Sequence, residues 1–145
     1  VPVGQLIPVN GGICGWRREL TPYIHYSLWC PELGYRRFDD IWMGVILKRV
    51  LDRTGHRLSY GPPFVSHTRA SCASQNAREE REGKKWNEVF WQRLDEAVTA
   101  MAPASRDARP SLDDAYDHVA GVLEAMDNLW ARREGAAMRV WRRFF

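Results

Sequence analysis

The chain has 145 residues, enough for one domain with a hydrophobic core. Its 45% hydrophobic and 27% charged residues are typical of a globular protein and exclude a disordered or fibrous one. The net charge of +3 is too small to indicate nucleic-acid binding by itself, and no apolar run reaches the ~20 residues that cross a bilayer. Three cysteines without a CxxC spacing favour reduced thiols, so we expect a cytoplasmic protein with no membrane contact.

The N-terminal part is expected to be extended and then briefly helical. Residues 1–14 read as an extended segment, in which Gly11 and Gly12 suit a tight bend or a backbone that another group approaches closely. A short helix is predicted over residues 17–29, with Pro22 in its first turn or breaking it. Residues 30–37 are predicted to form a loop.

Residues 39–54 carry the clearest helical pattern in the chain. Two aspartates open this stretch and basic residues close it, which complements the helix dipole. Gly55 follows at the position where a helix commonly ends in a left-handed residue. Apolar residues cover most of the circumference, so we expect this helix to be buried on more than one side.

The middle of the chain is predicted to contain two short strands and a longer helix. The strands are expected over residues 57–60 and 64–67, on either side of a Gly-Pro-Pro turn. A polar loop is expected over residues 68–76. A helix then carries apolar residues at helical spacing from Trp86 to Met101.

The C-terminal part is predicted to be helical and joined through a linker. Residues 102–110 contain two prolines and form the linker, and Ser111 is the expected N-cap of the region 111–145. An apolar stripe from Leu112 to Trp130 either packs on the body of the protein or mediates an oligomer.

The order of these elements predicts an α/β fold that is mostly helical, with two or three short strands and four helices. Short strands leave exposed edges and usually join a larger sheet. We therefore expect residues 1–101 to be part of a domain whose remaining sheet lies elsewhere, followed by the C-terminal helical region.

Two adjacent carboxylates, Asp39 and Asp40, stand at the start of the central helix beside Trp42. A carboxylate can accept hydrogen bonds from sugar hydroxyls or act as a general base, and an indole can cover the apolar face of a sugar ring. The alternative is structural: Asp39 caps the helix and Asp40 favours its dipole.

His67 ends the second predicted strand and is followed by small polar residues. A neutral imidazole there can ligate a divalent metal, although a lone histidine can equally be structural. The sequence contains neither a nucleophile elbow nor a phosphate-binding P-loop, which argues against a hydrolase triad and a P-loop nucleotide site.

Four stretches resemble, in the same order and at similar spacing, the reversibly glycosylated polypeptide family of UDP-arabinopyranose mutases and their relatives. Residues 1–8 (VPVGQLIP) resemble a Val-Pro-x-Gly-x-Leu-x-Pro stretch, and residues 37–44 (RFDDIWMG) resemble Arg-Tyr-Asp-Asp-Met-Trp-Ala-Gly. Residues 61–71 (GPPFVSHTRAS) are similar to Gly-Leu-Pro-Tyr-Ile-Trp-His-Ser-Lys-Ala-Ser, and residues 90–92 (FWQ) match a Phe-Trp-Gln. The likeness covers residues 1–95 and becomes looser beyond them.

This resemblance implies the C-terminal, acceptor-side portion of a GT-A fold, a UDP-sugar with an acceptor still unknown, and a divalent cation, Mn²⁺ or Mg²⁺. In such enzymes the cation bridges the diphosphate and stabilises the departing nucleotide. The resemblance gives Asp39 and Asp40 the role of the acidic pair near the sugar, and Trp42 that of its neighbouring aromatic residue. His67 takes the role of a late histidine that can join the metal shell.

Further candidate substrate-binding residues are Arg37, Gly11 and Gly12. The family's metal motif, uridine pocket and glycosylated arginine lie upstream of the point matched by Val1. We therefore expect the nucleotide-binding half in a preceding segment or a partner chain, and we expect the chain alone to be inactive as a mutase or glycosyltransferase.

Two other functions stay open at the level of sequence. The chain could be a non-catalytic helical module that uses residues 111–145 to bind a partner or form a homo-oligomer. It could also bind nucleic acid, for which the modest net charge gives little support.

Overall fold

The computed structural model describes residues 1–9, 14–62, 72–100 and 109–145. Within these ranges the chain forms five α-helices and two short 3-10 helices. The α-helices are α1 (Asp39–Thr54), α2 (Ala73–Glu79), α3 (Arg81–Thr99), α4 (Leu112–Ala125) and α5 (Leu129–Arg142). The 3-10 helices are Arg18–Tyr23 and Pro31–Leu33.

Helix α1 is the centre of the molecule and lies between two hydrophobic clusters. The larger cluster joins α1 to α3, α4 and α5 through large side chains such as Trp42, Phe90 and Trp130. The smaller cluster lies on another side of α1, where Met43 and Leu47 pack with side chains of the N-terminal half. The expectation that α1 is buried on more than one side is confirmed, because apolar residues surround most of its circumference.

Both ends of α1 follow from local chemistry. Asp39 and Asp40 occupy its first turn and Arg53 its last, and Gly55 ends it in a left-handed conformation with φ 80°. The residue at the N-cap position is Phe38, which is buried and makes no side-chain capping bond. The aspartates therefore act within the first turn, and Asp39 is not the cap.

Helices α4 and α5 form an antiparallel hairpin that completes the larger cluster. The Ser111 hydroxyl accepts a hydrogen bond from Asp114 N at 3.0 Å, which confirms the predicted cap of α4. The α4 stripe packs into the body of the protein, where Tyr116, Val119 and Leu123 are buried. The structure thus supports packing, the first of the two roles expected for this stripe.

The N-terminal segment runs alongside α1 in the opposite direction. Lys48 Nζ donates to Pro2 O at 2.9 Å near the C-terminal half of α1. Val9 lies against Gly44, where an added Cβ would meet the Val9 backbone nitrogen at 2.3 Å. Only a glycine at position 44 lets the two backbones approach this closely.

The prediction of an α/β fold with two or three short strands is wrong for the part of the chain that the structure describes. Residues 57–60 form no strand, and the sole ladder-like pairing among the described residues is an isolated antiparallel bridge between Cys30 and Tyr35. The side chains of residues 57–60 serve other contacts: Leu58 packs on the smaller cluster, and the Tyr60 hydroxyl donates to Pro8 O. A strand needs a ladder of backbone hydrogen bonds, and the described residues form none along this segment, although the amino group of Val1 donates to Leu58 O at 2.8 Å. The predicted strand over residues 64–67 falls outside them.

Three helix boundaries also differ from the sequence-based expectation. The predicted helix over residues 17–29 is a 3-10 helix, Arg18–Tyr23, followed by non-helical backbone as far as Cys30. Helix α2 occupies part of the predicted polar loop. The apolar stripe that ends at Trp130 crosses a break between α4 and α5, where the Asn128 side chain accepts from Ala131 N at 3.0 Å. Asn128 therefore starts a new helix at a point where the apolar spacing alone continues.

Residues 102–110, the predicted linker, lie mostly outside the described ranges, and the helices on either side of them share the larger hydrophobic cluster. No helix within the described ranges is long and apolar enough to cross a bilayer.

Candidate functional site

The start of α1 carries the two carboxylates singled out from the sequence. Asp39 and Asp40 are partly exposed there, in the first turn of the helix. We call this region the α1 corner: it consists of Cys14, Tyr26, Asp39, Asp40 and Tyr60. The corner joins side chains from four separate parts of the chain.

Residues 24–30, which we call the strap, cross the start of α1. Ser27 N donates to Asp39 O at 3.2 Å, so the strap is bonded directly to the residue that opens the helix. Tyr26 precedes this contact and leaves 46% of its surface exposed. Partial burial raises the pKa of the Tyr26 phenol most. The nearby Cys14 and then the charges of Asp40 and Asp39 raise it further.

Cys14 and Tyr60 complete the α1 corner. Burial first, and then the charge of Asp40, raise the pKa of the Cys14 thiol. Burial and then Cys14 raise the pKa of the Tyr60 phenol, whose side chain is 56% exposed. Both tyrosines therefore stay protonated near neutral pH; Tyr26 lies near the carboxylates, and Tyr60 joins the corner through Cys14.

Trp42 does not belong to this exposed corner. Its side chain has 0% exposure and packs at a ring-centroid distance of 4.3 Å from Trp130 and 4.7 Å from Phe38. Its indole Nε1 donates to Asn87 Oδ1 at 3.1 Å, so its one polar group is also satisfied inside the protein. This placement offers no face to a sugar ring, contrary to the substrate-binding role expected from the sequence. The helical spacing that makes Trp42 a neighbour of Asp40 turns it towards the core.

Arg37 lies just before α1 in an uncommon backbone conformation. Its φ is 63°, in the left-handed region that favours glycine. The guanidinium Nε donates to Glu80 Oε1 at 3.4 Å, where α2 and α3 meet. Its predicted role in substrate binding has no support in this geometry, because its recorded partner is a protein carboxylate.

Gly11, Gly12 and His67 lie outside the described residues, and their predicted roles stay predictions. The described residues on either side of the two glycines are informative, however. Val9 lies on Gly44, and Cys14 lies near Asp40, one helical turn earlier on the same face of α1.

The described residues do not provide a divalent-cation site. Among them, no group of three or more histidine, cysteine, aspartate or glutamate side chains is arranged to hold a metal ion. The α1 corner supplies two carboxylates. Mg²⁺ prefers six oxygen ligands; proteins commonly give one or two of them, and substrate and water give the rest. The described residues by themselves do not define such a site, and we derive no chemistry through a metal.

No sequence pattern marks Cys14, Tyr26 and Tyr60 as members of the corner. Each is an ordinary residue in a segment without a motif, and tertiary packing brings them together. An exposed tyrosine becomes informative only when its neighbours are known.

Comparison with known proteins adds the family to this geometry. A family model described as reversibly glycosylated polypeptide matches residues 1–145. UDP-arabinopyranose mutase 1 of Arabidopsis thaliana is 27% identical over 143 residues, which cover 90% of this chain and 40% of that protein. Probable UDP-arabinopyranose mutase 1 of Pisum sativum is 32% identical over 93 residues, 63% of this chain and 24% of that protein.

The chain thus spans at most two-fifths of the length of these curated relatives. No solved structure matches it. The match of the family model over the whole chain means that this protein belongs to the reversibly glycosylated polypeptide family.

Proposed function

We propose that this chain is the C-terminal, sugar- and acceptor-side portion of an enzyme that acts on a UDP-sugar, as a mutase or a glycosyltransferase. The observation that carries the proposal is the partly exposed carboxylate pair Asp39 and Asp40 in a chain that matches the family model from end to end. Relatives that align with 90% of the chain are named UDP-arabinopyranose mutases, which favours the mutase over the transferase.

The chemistry of the α1 corner suits a sugar. Carboxylate oxygens of Asp39 and Asp40 can accept hydrogen bonds from ring hydroxyls, and one of them can take a proton from an attacking hydroxyl as general base. Tyr26 and Tyr60 offer exposed rings that can cover the apolar face of a pyranose. They take the place for which Trp42 was expected.

The remaining parts of the enzyme are proposed to lie outside the described residues. The nucleotide-binding half would be supplied by a further segment or a partner chain, since the relatives are at least twice as long as the aligned region. Any divalent cation would take most of its ligands from there. We place the complete enzyme in the cytoplasm, because Cys14, Cys30 and Cys72 are not in disulfides, which suits a reducing compartment.

The helical binding module is the weaker alternative. It rests on the apolar stripe of residues 111–145 and on the aromatic, basic tail; the stripe is occupied by the protein's own core, and Phe144 and Phe145 are exposed. No feature of the described residues favours nucleic-acid binding over a sugar site.

Activity of a completed enzyme tests the proposal. The chain would be fused to the preceding segment of the Arabidopsis thaliana relative, and conversion of UDP-arabinopyranose would be followed by chromatography. We expect activity from the fusion and none from either part alone. Circular dichroism and a cooperative thermal transition establish that each part is folded. A folded, inactive fusion, or full activity of the isolated 145-residue chain, would count against the proposal.

A further inference from the structure

Glu134 is a carboxylate in the interior of the protein, with 0% exposure. It lies on α5 and contacts the strap. Carboxylates are rarely buried to this degree unless their oxygens find partners, because removing the charge from water is costly. A buried carboxylate that the sequence motifs do not explain calls for a physical reason.

One oxygen of Glu134 holds the strap. Leu28 N donates to Glu134 Oε2 at 2.8 Å, and Trp130 Nε1, on the same helix, donates to Leu28 O at 2.9 Å. Both backbone groups of Leu28 are therefore bonded to side chains of α5. The neighbouring residue, Ser27, donates its own N–H to Asp39 O. Helix α5 and the start of α1 are thus joined through two consecutive residues of the strap.

The other carboxylate oxygen of Glu134, Oε1, accepts no hydrogen bond among the described residues. Oε1 lies 3.3 Å from His25 Nδ1, but neither atom has a partner with hydrogen-bond geometry among the described residues. The Ser27 hydroxyl is also buried and without such a partner. Glu134 therefore contacts the strap at two residues, Leu28 and His25, and the bond from Leu28 N is the contact that has hydrogen-bond geometry.

We propose that Glu134 is a positioning residue for the α1 corner: by accepting from Leu28 N it fixes the strap, and the strap fixes Asp39 and Tyr26. The functional consequence rests on the proposed function. Tyr26 and Ser27 are consecutive, so a shift of the strap at Leu28 moves the exposed ring and the bond to Asp39 together. Glu134 acts through the strap and does not itself touch a substrate.

Three substitutions separate this role from general stability. Glu134→Gln keeps an acceptor oxygen for Leu28 N and removes the charge. Glu134→Met has a similar volume and accepts no such bond. Glu134→Asp keeps the charge on a shorter side chain and replaces the methionine variant if that variant does not fold. Met138→Ala, at a buried α5 position one turn later, is the matched control for lost packing.

Amide hydrogen exchange on the isolated chain is the first measurement. We expect Glu134→Met or Glu134→Asp to raise the exchange rates of Ser27 and Leu28 at least about tenfold relative to Met138→Ala at equal overall stability. Glu134→Gln should stay within about threefold of the unsubstituted chain. Unchanged protection of Ser27 in the methionine and aspartate variants would overturn the proposal, whatever the activity.

Steady-state kinetics on the fusion enzyme is the second measurement. We expect the methionine or aspartate variant to lower kcat about tenfold or more, and glutamine to restore it, because the contact to Leu28 matters and the charge does not. A kcat no lower than that of Met138→Ala would overturn the proposal. An inactive unsubstituted fusion would refute the proposed function alone, and exchange at Ser27 would still decide the role of Glu134.

Discussion

At the scale of single residues, position on a helix decides what each side chain of the matched motif can do. Asp39 and Asp40 lie at the open end of α1, whereas Trp42 lies two residues later and faces Trp130 and Phe38. The motif alone does not separate these roles. Successive side chains on a helix are rotated by 100°, so their roles can be assigned only when the buried side of the helix is known. The sequence therefore predicted the carboxylates as candidates, and it assigned the aromatic neighbour to the wrong environment.

Gly44 gives a residue-scale prediction. Alanine normally stabilises a helix interior by about 0.5–1 kcal/mol relative to glycine, but here its Cβ would meet the backbone nitrogen of Val9 at 2.3 Å. Backbone cannot rotate away as a side chain can, so we expect Gly44→Ala to destabilise the chain by about 1–3 kcal/mol. Urea unfolding measures the change.

Gly15→Ala is the matched control, because an added Cβ there meets nothing within 4 Å and the backbone is not left-handed. We expect its free energy of unfolding to change by less than about 0.5 kcal/mol. A Gly44→Ala variant as stable as Gly15→Ala would mean that the N-terminal segment does not lie against α1.

Tyr23 gives a prediction about pH. Burial first, and then a hydrogen bond to Asp113 Oδ1 at 2.7 Å, raise its pKa to about 12. A phenol whose folded pKa is raised above its unfolded value of 10 contributes stability that is present below pH 10 and is lost as the pH rises towards 12. We expect the free energy of unfolding to fall over this window, and to fall less in Tyr23→Phe. Equal slopes in the two proteins would show that Tyr23 is not held as described.

At the scale of elements, the sequence predicted best where the signals are local. The limits of α1 followed from acids in the first turn and glycine after the last, and the cap at Ser111 followed from its hydroxyl. The break between α4 and α5 was missed because the apolar spacing continues through it. Asn128 was the available signal, and a single asparagine within an apolar pattern is easily read as a polar surface position.

The break gives an element-scale prediction. Asn128 accepts from Ala131 N and its amide also donates to the Tyr35 hydroxyl at 3.3 Å. We expect Asn128→Ala to cost about 1–2 kcal/mol in urea unfolding, since a helix cap and a tertiary bond are lost together. Ser111→Ala, which removes a cap without a tertiary bond, should cost about 1 kcal/mol or less. If Ser111→Ala lowers the free energy of unfolding more than Asn128→Ala does, Asn128 does not hold the hairpin as described.

At the scale of the whole molecule, the family was predicted from sequence and the architecture was not. Four motifs in order identified the family, which the match over residues 1–145 confirms. The strands were wrong because strand formation depends on a partner that the local sequence cannot supply, and residues 57–60 pack against α1 and the N-terminal segment instead. The corner residues Tyr26 and Tyr60 were missed for the same reason, since only packing brings them to the α1 corner.

The shared core gives a prediction about truncation. Tyr116, Leu123 and Trp130 are buried in the cluster that also contains Trp42 and Phe90. We expect residues 1–110 alone to lack a cooperative thermal transition, because removal of α4 and α5 exposes the larger cluster to water. Circular dichroism with temperature tests this. A folded truncated chain, with a lower oligomer mass by light scattering, would favour the alternative that residues 111–145 serve assembly.

The proposed site depends on the carboxylate pair Asp39 and Asp40. The most direct test of the pair is the kcat of the fusion enzyme with Asp39→Asn and with Asp40→Asn. Asp114→Asn, a first-turn aspartate of α4, is the matched control for a lost helix-dipole contact worth about 0.3–1 kcal/mol. We predict that at least one of the two corner variants loses about 100-fold or more in kcat while its stability changes no more than that of the control. If both keep kcat within about twofold of the unsubstituted enzyme, the carboxylates serve only the helix and the proposed site is wrong.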